Sequence, residues 1–204
     1  MAKPRHSPRK TPTQARAKRT WNAILDGAAQ VLIRQGYEKA TTDRIAERTG
    51  VSVGTIYEYF PNKDAVYAAL SLRWNDQRWS VFQASIVAAP DDNLQTALRA
   101  TVRARIAATS IDAELNTALA NEVPGKVTAH QAREIHDEFL EVSVANLTRF
   151  KAEIRSQDFT VMAKLMMHAT HAIVDNIASS EPELLSAPLF EDELVHMMHS
   201  YICT

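Results

Sequence analysis

The chain of 204 residues is short of cysteine, glycine and long apolar runs. Its single cysteine, Cys203, excludes an intrachain disulfide, so we expect a reducing, cytoplasmic environment. No apolar run approaches the roughly 20 residues that cross a bilayer. The basic N-terminus also lacks the apolar segment of a secretory signal, so we expect no membrane partner. Five glycines and few strand-like alternations predict an all-α fold.

Positive charge is concentrated at the front of the chain. Residues 1–64 contain 12 Lys and Arg against 6 Asp and Glu, whereas residues 65–204 contain 11 against 18. The net charge of −1 therefore combines a basic front with an acidic remainder. This distribution is typical of a protein that contacts nucleic acid at one end only.

The first residues predict a basic, flexible arm over 1–16. Lysines and arginines occur there without an acidic residue, and Pro4, Pro8 and Pro12 oppose helix formation. Such an arm could follow phosphates or enter a minor groove. A disordered tail that only increases solubility is the alternative.

Residues 41–60 have the pattern of two short helices joined by a tight turn. Thr41 or Thr42 can cap the first helix, and Gly50 can adopt the left-handed conformation that ends it. Ser52 can cap the second helix. Ile56 and Phe60, four residues apart, predict its buried side. The predicted outer face then consists of Val53, Gly54, Thr55, Tyr57 and Tyr59, with Glu58 as its one charge.

Gly54 and Lys63 are unfavourable choices for an isolated helix. Glycine inside a helix costs about 1 kcal/mol relative to alanine. A cation at the start of the next helix, where Lys63 stands, opposes the helix dipole. A surface approaching Gly54 and a phosphate docked beside Lys63 would explain both residues, and the phosphate hypothesis predicts that Lys63→Ala leaves stability unchanged. Two tolerated surface residues are the alternative.

Residues 16–70 resemble the N-terminal domain of the TetR family of bacterial transcriptional repressors. The matching pieces are Ile24-Leu25-Asp26-Gly27-Ala28-Ala29, Gly36-Tyr37, Thr41-Thr42, Ile45-Ala46, Gly50-Val51-Ser52, Gly54-Thr55-Ile56-Tyr57 and Tyr59-Phe60-Pro61-Asn62-Lys63. The resemblance implies a homeodomain-like, three-helix DNA-binding domain over residues 17–77, with its helix-turn-helix at about 41–60. It also implies DNA contacts, mostly to phosphates, from Thr42, Ser52, Thr55, Tyr57, Tyr59 and Lys63, and a position facing the bases at Val53. Gly54 is added to the predicted DNA-binding residues because a close approach of the helix backbone would explain it. Valine at 53 offers bases only an apolar contact.

The remainder, residues 78–204, is predicted to form a helical effector-binding and dimerisation domain. Breaks near prolines and polar clusters predict helices at 64–88, 94–110, 113–122, 127–155, 159–179 and 189–202. The helix at 159–179 is apolar around most of its circumference, so we expect it to be buried both in its own domain and against a partner. The predicted dimer-interface residues are Met162, Met166, Ala169, Ile173, Leu194 and Met198.

An effector cavity is expected between the helices at 64–88, 94–110, 113–122 and 127–155. The predicted lining residues are Trp79, Phe82, Arg105, Asn116, His136, Phe139 and Met166. Arg105 falls within an apolar stripe, where it could pair with an internal glutamate, extend to the domain edge or bind an acidic ligand. Trp74 and Trp79 lie about 140° apart on a helix, so we expect one of them to line the pocket or the surface.

Histidine pairs suggest a second class of function. His168 and His171, and likewise His196 and His199, are three residues apart and share a helix face. A zinc site needs further ligands, and none is adjacent in sequence. We therefore predict no metal, no cofactor and no catalysis. The predicted protein is a homodimeric repressor that binds a near-palindromic double-stranded DNA operator, where it is nucleoid-associated, and is released by an unknown small-molecule effector. A metal-dependent enzyme or a helix-turn-helix used only for protein contacts are the alternatives.

Overall fold

The computed structural model describes residues 7–88, 92–155 and 158–203, with residue 126 and residues 128–136 described as backbone only. Within these ranges the chain forms helices and no strand, which confirms the predicted all-α fold. The helices are α1 (Ala15–Lys39), α2 (Thr42–Thr49), α3 (Val53–Tyr59), α4 (Lys63–Ala88), α5 (Leu94–Thr109), α6 (Ala113–Glu122), α7 (Gly125–Arg149), α8 (Phe159–Ser180) and α9 (Pro188–Ile202). A 3₁₀ helix at Pro182–Ser186 joins α8 to α9.

The helices form two compact units. Unit 1 consists of Met1–Asn75 together with Glu114–Arg133, and unit 2 consists of Asp76–Ala113 together with Glu134–Thr204. The long helices α4 and α7 therefore contribute residues to both units. None of the helices in the described ranges is long and apolar enough to cross a membrane.

The core of unit 1 is formed by the apolar faces of α1 to α4. Fully buried side chains come from each of these helices, among them Leu25, Ile45, Ile56 and Tyr67. Burial of such aliphatic and aromatic side chains stabilises the unit by about 1.5–3 kcal/mol each. The helix-turn-helix is therefore held on a closed core and presents its remaining faces outward.

The core of unit 2 is built mainly by α5, α8 and α9. Val102, Val174 and Val195 are buried at their centre. Arg99 and Arg103 on α5 form ion pairs with Glu191 on α9, at nitrogen–oxygen distances of 2.7 and 2.9 Å. Burial acts to raise the pKa of Glu191, but hydrogen bonds from the two arginines outweigh it and lower that pKa below its usual value. The α5–α9 contact is therefore electrostatic at its edge and apolar at its centre.

One predicted helix end was wrong, and the two tryptophans lie on different faces as predicted, although neither is at the surface. The helix predicted at 127–155 ends at Arg149, because the chain turns there and Arg155 docks on the end of α9. The backbone N–H of Arg155 donates to the carbonyl of Ile202 at 3.0 Å, and its Nε donates to that of Tyr201 at 2.6 Å. Trp74 and Trp79 are both buried, since Trp74 belongs to the core of unit 1 and Trp79 to a cluster in unit 2.

Candidate nucleic-acid interface and internal cavity

Short-range hydrogen bonds fix the ends of α2 and α3 as predicted. Thr41, rather than Thr42, caps α2, and its hydroxyl oxygen accepts from the N–H of Arg44 at 3.3 Å. Gly50 ends α2 with φ 70°, in the left-handed region that glycine adopts without a steric penalty. Ser52 caps α3 by accepting from the N–H of Thr55 at 3.1 Å. The turn between the two helices is therefore defined by local side chains.

The outward face of the helix-turn-helix carries paired hydroxyl groups. The hydroxyls of Ser52 and Thr55 lie 2.9 Å apart, and those of Thr42 and Tyr57 lie 3.2 Å apart. The Tyr57 side chain is 41% exposed, whereas Thr42 is largely buried. Val53 and Thr55 are half-buried and Gly54 is exposed. Because hydroxyl groups can both donate and accept, this face is suited to phosphate and sugar oxygens.

Tyr59 does not belong to this outward face, contrary to the prediction. Its side chain is only 7% exposed. It lies three residues after the buried Ile56, so both point to the same side of α3. Its ring packs edge-on against Trp21 of α1, with centroids 5.9 Å apart. The ring of Tyr59 therefore belongs to the core of unit 1.

Lys63 has a partner within the protein. Its Nζ donates to the carbonyl oxygen of Tyr37 at 2.9 Å and lies 4.3 Å from the centroid of the Tyr37 ring. Tyr37 lies in the short last turn of α1, directly after a break at Gly36, where the backbone has φ 75° and ψ 163°. The hydroxyl of Tyr37 donates to Asp64, and burial followed by this hydrogen bond raises the pKa of Tyr37. The unfavourable position of Lys63 at the start of α4 is therefore compensated by the end of α1.

Part of the basic arm runs beside the end of α3, a feature that sequence analysis missed. The backbone N–H of Arg9 donates to the carbonyl of Tyr59 at 2.7 Å. The Nζ of Lys10 lies 3.5 Å from a carboxylate oxygen of Glu58 and 4.9 Å from the centroid of the Tyr59 ring. Residues 1–6 of the predicted arm lie outside the described residues. Only the opposite charges of Lys10 and Glu58 could have indicated this contact, and charge alone does not select a partner.

Unit 2 contains a small apolar cavity of about 60 Å³. Its lining residues come from α4, α5, α7, α8 and α9, rather than from α6, because Glu114 to Glu122 belong to unit 1. Of the predicted lining residues, those that the structure places there are Phe82, Arg105, Phe139 and Met166. The structure places Trp79 behind the wall, against Phe82 and Phe139.

Two other predicted lining residues are found elsewhere. Asn116 lies in unit 1, where its side-chain oxygen accepts from the indole N–H of Trp74 at 3.4 Å. The side chain of His136 lies outside the described residues. Sequence analysis considered His171 only as part of a histidine pair, whereas it lines the cavity and packs edge-on against Phe139 with centroids 5.4 Å apart.

Arg105 is buried in the cavity wall and shares a carboxylate with Arg78. Its side chain is 5% exposed, and its Nη2 lies 2.6 Å from Oδ1 of Asp175. The Nη2 of Arg78 lies 3.1 Å from the same oxygen. Burial first, and then the charge of Arg78, lower the pKa of Arg105 to about 9, although Asp175 acts to raise it. The internal partner of Arg105 is thus an aspartate on α8, not a glutamate.

The predicted dimer-interface residues divide into two groups. Met162, Leu194 and Met198 are buried within unit 2 itself. Met166 and Ile173 are half-buried, and Ala169 is exposed. The apolar side chains exposed on α8 and α9 include Leu165, which is 53% exposed, and Met197, which is 42% exposed. Both line a surface groove with Ala169.

The histidine pairs are not joined by further metal ligands in the described part of the chain. There, no three side chains among His, Cys, Asp and Glu are grouped so that they could hold a metal ion. His168 and His196 are exposed, and His199 is half-buried near the chain's end.

Comparison with known proteins identifies the family of both parts of the chain. Residues 24–70 match the family "Bacterial regulatory proteins, tetR family", and residues 93–202 match "Tetracyclin repressor-like, C-terminal domain". The second match alone covers more than half of the chain. The matching families and relatives are transcription regulators, not enzymes.

Individual relatives match over short segments. The A-factor receptor protein of Streptomyces griseus is 42% identical over 57 residues, which is 28% of this chain and 21% of that protein. The HTH-type transcriptional repressor Rv1474c of Mycobacterium tuberculosis is 44% identical over 48 residues, which is 24% of this chain and 26% of that protein. The chain therefore matches less than a third of the length of either relative.

Solved structures match over nearly the whole fold. The fatty acid degradation regulator FadR of Bacillus halodurans has a TM-score of 0.70 at 20% identity, covering 93% of this chain and 95% of that one. GusR of Salmonella enterica has a TM-score of 0.71 at 22% identity, covering 90% and 95%. These structural similarities establish the fold, and the two family matches establish the family. The chain belongs to the TetR family of bacterial transcriptional regulators and has a helix-turn-helix DNA-binding domain at residues that the family shares.

Proposed function

We propose that this regulator is a repressor that binds a near-palindromic DNA operator as a homodimer and is released by a small molecule. The observation that carries the DNA-binding part is the outward face of α2 and α3. This face offers the hydroxyls of Ser52, Thr55 and Tyr57 beside the exposed backbone of Gly54. Hydroxyls and backbone amides of this kind contact phosphates and fix a recognition helix in the major groove.

Basic residues lie on the two segments that contact α3, which are the start of α1, whose Trp21 packs against Tyr59, and the arm. Arg16, Lys18 and Arg19 are exposed on the first turns of α1, and Lys10 lies at the end of α3. No acidic residue stands in the first turn of α1, so these cations oppose the dipole of their own helix. Phosphates bound nearby would remove that penalty. We therefore propose that the start of α1 and the arm contact the DNA backbone on either side of α3.

The homodimer is proposed to form through the exposed apolar faces of α8 and α9. The groove lined by Leu165, Ala169 and Met197 is the candidate contact. Exposed apolar side chains grouped on adjacent helices are typical of subunit interfaces. A second copy would place the same two helices against them, forming a four-helix bundle around a two-fold axis. Two linked heads could then reach half-sites about one helical turn apart.

Release by an effector is assigned to the cavity of unit 2. A ligand shifts the population of conformations only as far as it favours one of them. A preference of about 5.5 kcal/mol for the non-binding form would move the regulator from almost fully bound to almost fully released. The residues that line the cavity in unit 2 would supply that preference.

The operator can be found and the DNA-binding proposal tested with the full-length protein. Sequences selected from a random DNA pool should contain an inverted repeat, and labelled duplexes of that repeat should bind tightly in fluorescence anisotropy. A dimer that makes about eight to ten phosphate contacts should show a slope of log K against log salt of about −7 to −9. Weak binding of equal strength to all selected and scrambled duplexes would contradict the proposal.

A further inference from the structure

Arg105 brings a positive charge to the wall of the cavity in unit 2. Its guanidinium shares Oδ1 of Asp175 with Arg78, so that carboxylate does not neutralise Arg105 alone. The Asp175 side chain is 36% exposed, so water screens part of its charge, whereas Arg105 is buried. A buried cation without full compensation is costly, and an added anion would lower that cost.

Arg105 also has donors without a well-aligned acceptor. Its Nε and Nη2 are buried, and neither makes a hydrogen bond of acceptable geometry within the described residues. Nη2 is held 2.6 Å from Oδ1 of Asp175 by the ion pair, so Nε is the buried donor left without an acceptor within the described residues. A guanidinium presents parallel N–H groups that match the two oxygens of a carboxylate. The lowered pKa of Arg105 agrees with this reading, since about 9 still leaves it charged at neutral pH.

The rest of the cavity is mostly apolar and adaptable, although Asn146, Thr170 and His171 also line it. Phe82, Phe139 and Phe150 contribute aromatic surface, and Met166 and Met167 contribute flexible thioethers. The hydroxyls of Thr101 and Ser143 already donate to the carbonyls of Ala97 and Phe139. A volume of about 60 Å³ is well below the roughly 300–1,000 Å³ of ligand pockets, so a ligand must displace side chains to enter.

We infer that the effector is a small organic carboxylate with an apolar, aryl-sized body. Its carboxylate binds the guanidinium of Arg105, and its body occupies the aromatic part of the cavity as the methionines move aside. This inference rests on the proposed effector function and specifies its ligand class. Asp175 competes with the ligand for the same guanidinium, so removing its carboxylate should strengthen ligand binding.

The test compares three probes that share one apolar body and differ in charge. These are 4-phenylbutyrate, 4-phenyl-1-butanol and 4-phenylbutylamine, titrated into the full-length protein by calorimetry without DNA. The acid should bind at least about tenfold more tightly than the alcohol, because a charge-assisted pair is worth roughly one factor of ten or more. The amine should bind least well. Equal binding of acid and alcohol, or no binding of the acid at millimolar concentration, overturns the inference.

Three variants test whether Arg105 causes the preference for the acid over the alcohol. Arg105→Met should abolish the preference for the acid, whereas Arg103→Met, two residues away on the same helix and 65% exposed, should preserve it. Asp175→Asn should increase affinity for the acid, since it removes the competing carboxylate. A purely structural role for Arg105 and Asp175 predicts unchanged or lower affinity in Asp175→Asn, so this variant remains decisive if Arg105→Met does not fold.

The same probes separate the inference from the proposed function. If the acid binds in calorimetry but leaves the protein–operator complex intact, the ligand class is supported and release by this ligand is contradicted. If the neutral alcohol both binds as tightly as the acid and releases the operator, effector control is supported and the carboxylate inference is overturned.

Discussion

At the scale of single residues, Gly54 lies inside α3, a helix of seven residues, where glycine has a low helix propensity. A Cβ built there would have only the hydroxyl oxygen of Ser52 near it, at 3.9 Å. Nothing within the described part of the chain therefore requires glycine at this position. A surface that approaches α3 from outside would require glycine at this position if it comes closer than a methyl group allows.

Gly54→Ala should consequently change stability and DNA binding in opposite directions. We expect the free energy of unfolding to rise by about 0.5–1 kcal/mol, because alanine loses less backbone entropy in a helix. Operator affinity should fall, because the methyl group holds the duplex away. Chemical denaturation and anisotropy measure the two quantities. Gly125→Ala, where a Cβ also meets open space, is the matched control and should leave DNA affinity unchanged.

Lys63 and Tyr57 test the phosphate contacts. The structure changes the expectation for Lys63→Ala, because Lys63 also holds the end of α1 through the carbonyl of Tyr37. We now expect a loss of up to about 1 kcal/mol in stability, together with weaker operator binding and a shallower salt slope. Tyr57→Phe should weaken binding with little change in stability, since its ring is 41% exposed. Lys151→Ala, an exposed lysine of unit 2, is the control. Wild-type DNA affinity in folded Lys63→Ala would leave only the structural role.

The roles of residues whose partners are near in sequence could be predicted, whereas the roles of residues with distant partners could not. Thr41, Gly50 and Ser52 act within three or four residues, so their roles follow from local geometry. Tyr59 was misplaced because its ring packs against Trp21, a contact that no local pattern specifies. The partner of Arg105 was unpredictable for the same reason, since Asp175 is 70 positions further along the chain.

At the scale of helices, the ends predicted by capping residues and prolines agree with the structure to within one residue for α5, α6, α8 and α9. The end of α7 does not, because it is set by a tertiary contact. Helical periodicity continues to Ile154, which is buried, but the backbone leaves the helix so that Arg155 can bind the end of α9. A buried apolar residue at the expected spacing therefore does not by itself show that a helix continues.

The contact between α5 and α9 predicts a pH-dependent contribution to stability. Because its folded-state pKa is lowered, Glu191 stabilises the fold above its unfolded pKa, and that contribution is lost as the pH falls through the lowered value. Glu191→Gln should cost on the order of 1 kcal/mol at neutral pH. The difference from wild type should shrink in acid, where Glu191 is protonated in both states of the wild type. Denaturation at several pH values measures this, with the exposed Glu193→Gln as control. A difference that is independent of pH would exclude the ion pairs as its cause.

At the scale of the whole molecule, the proposed repressor would need its dimer to bind two half-sites, and the exposed residues of α8 and α9 are where substitutions should disrupt that dimer. Sequence analysis located these helices but included Met162 and Met198 among the interface residues, because a helical wheel cannot tell which apolar flank a domain buries for itself. The structure shows that both methionines are buried within unit 2, so altering them would disturb the monomer's core. Leu165 and Met197 are the residues whose substitution can separate assembly from folding.

Leu165→Glu should therefore give folded monomers that bind the operator weakly. The carboxylate would be placed in an apolar contact between copies, where burying an unpaired charge is prohibitive, while in the monomer it would stay in water. Val87→Glu is the matched control, since Val87 is 86% exposed and lies outside the groove. Sedimentation at micromolar concentration should report a dimer for wild type and Val87→Glu and a monomer for Leu165→Glu. Melting of the isolated Leu165→Glu monomer should remain cooperative, and its salt slope on DNA should fall to about half of the dimer's, since one head makes half of the phosphate contacts. A dimeric Leu165→Glu that keeps full operator affinity would place the interface on another face of the chain.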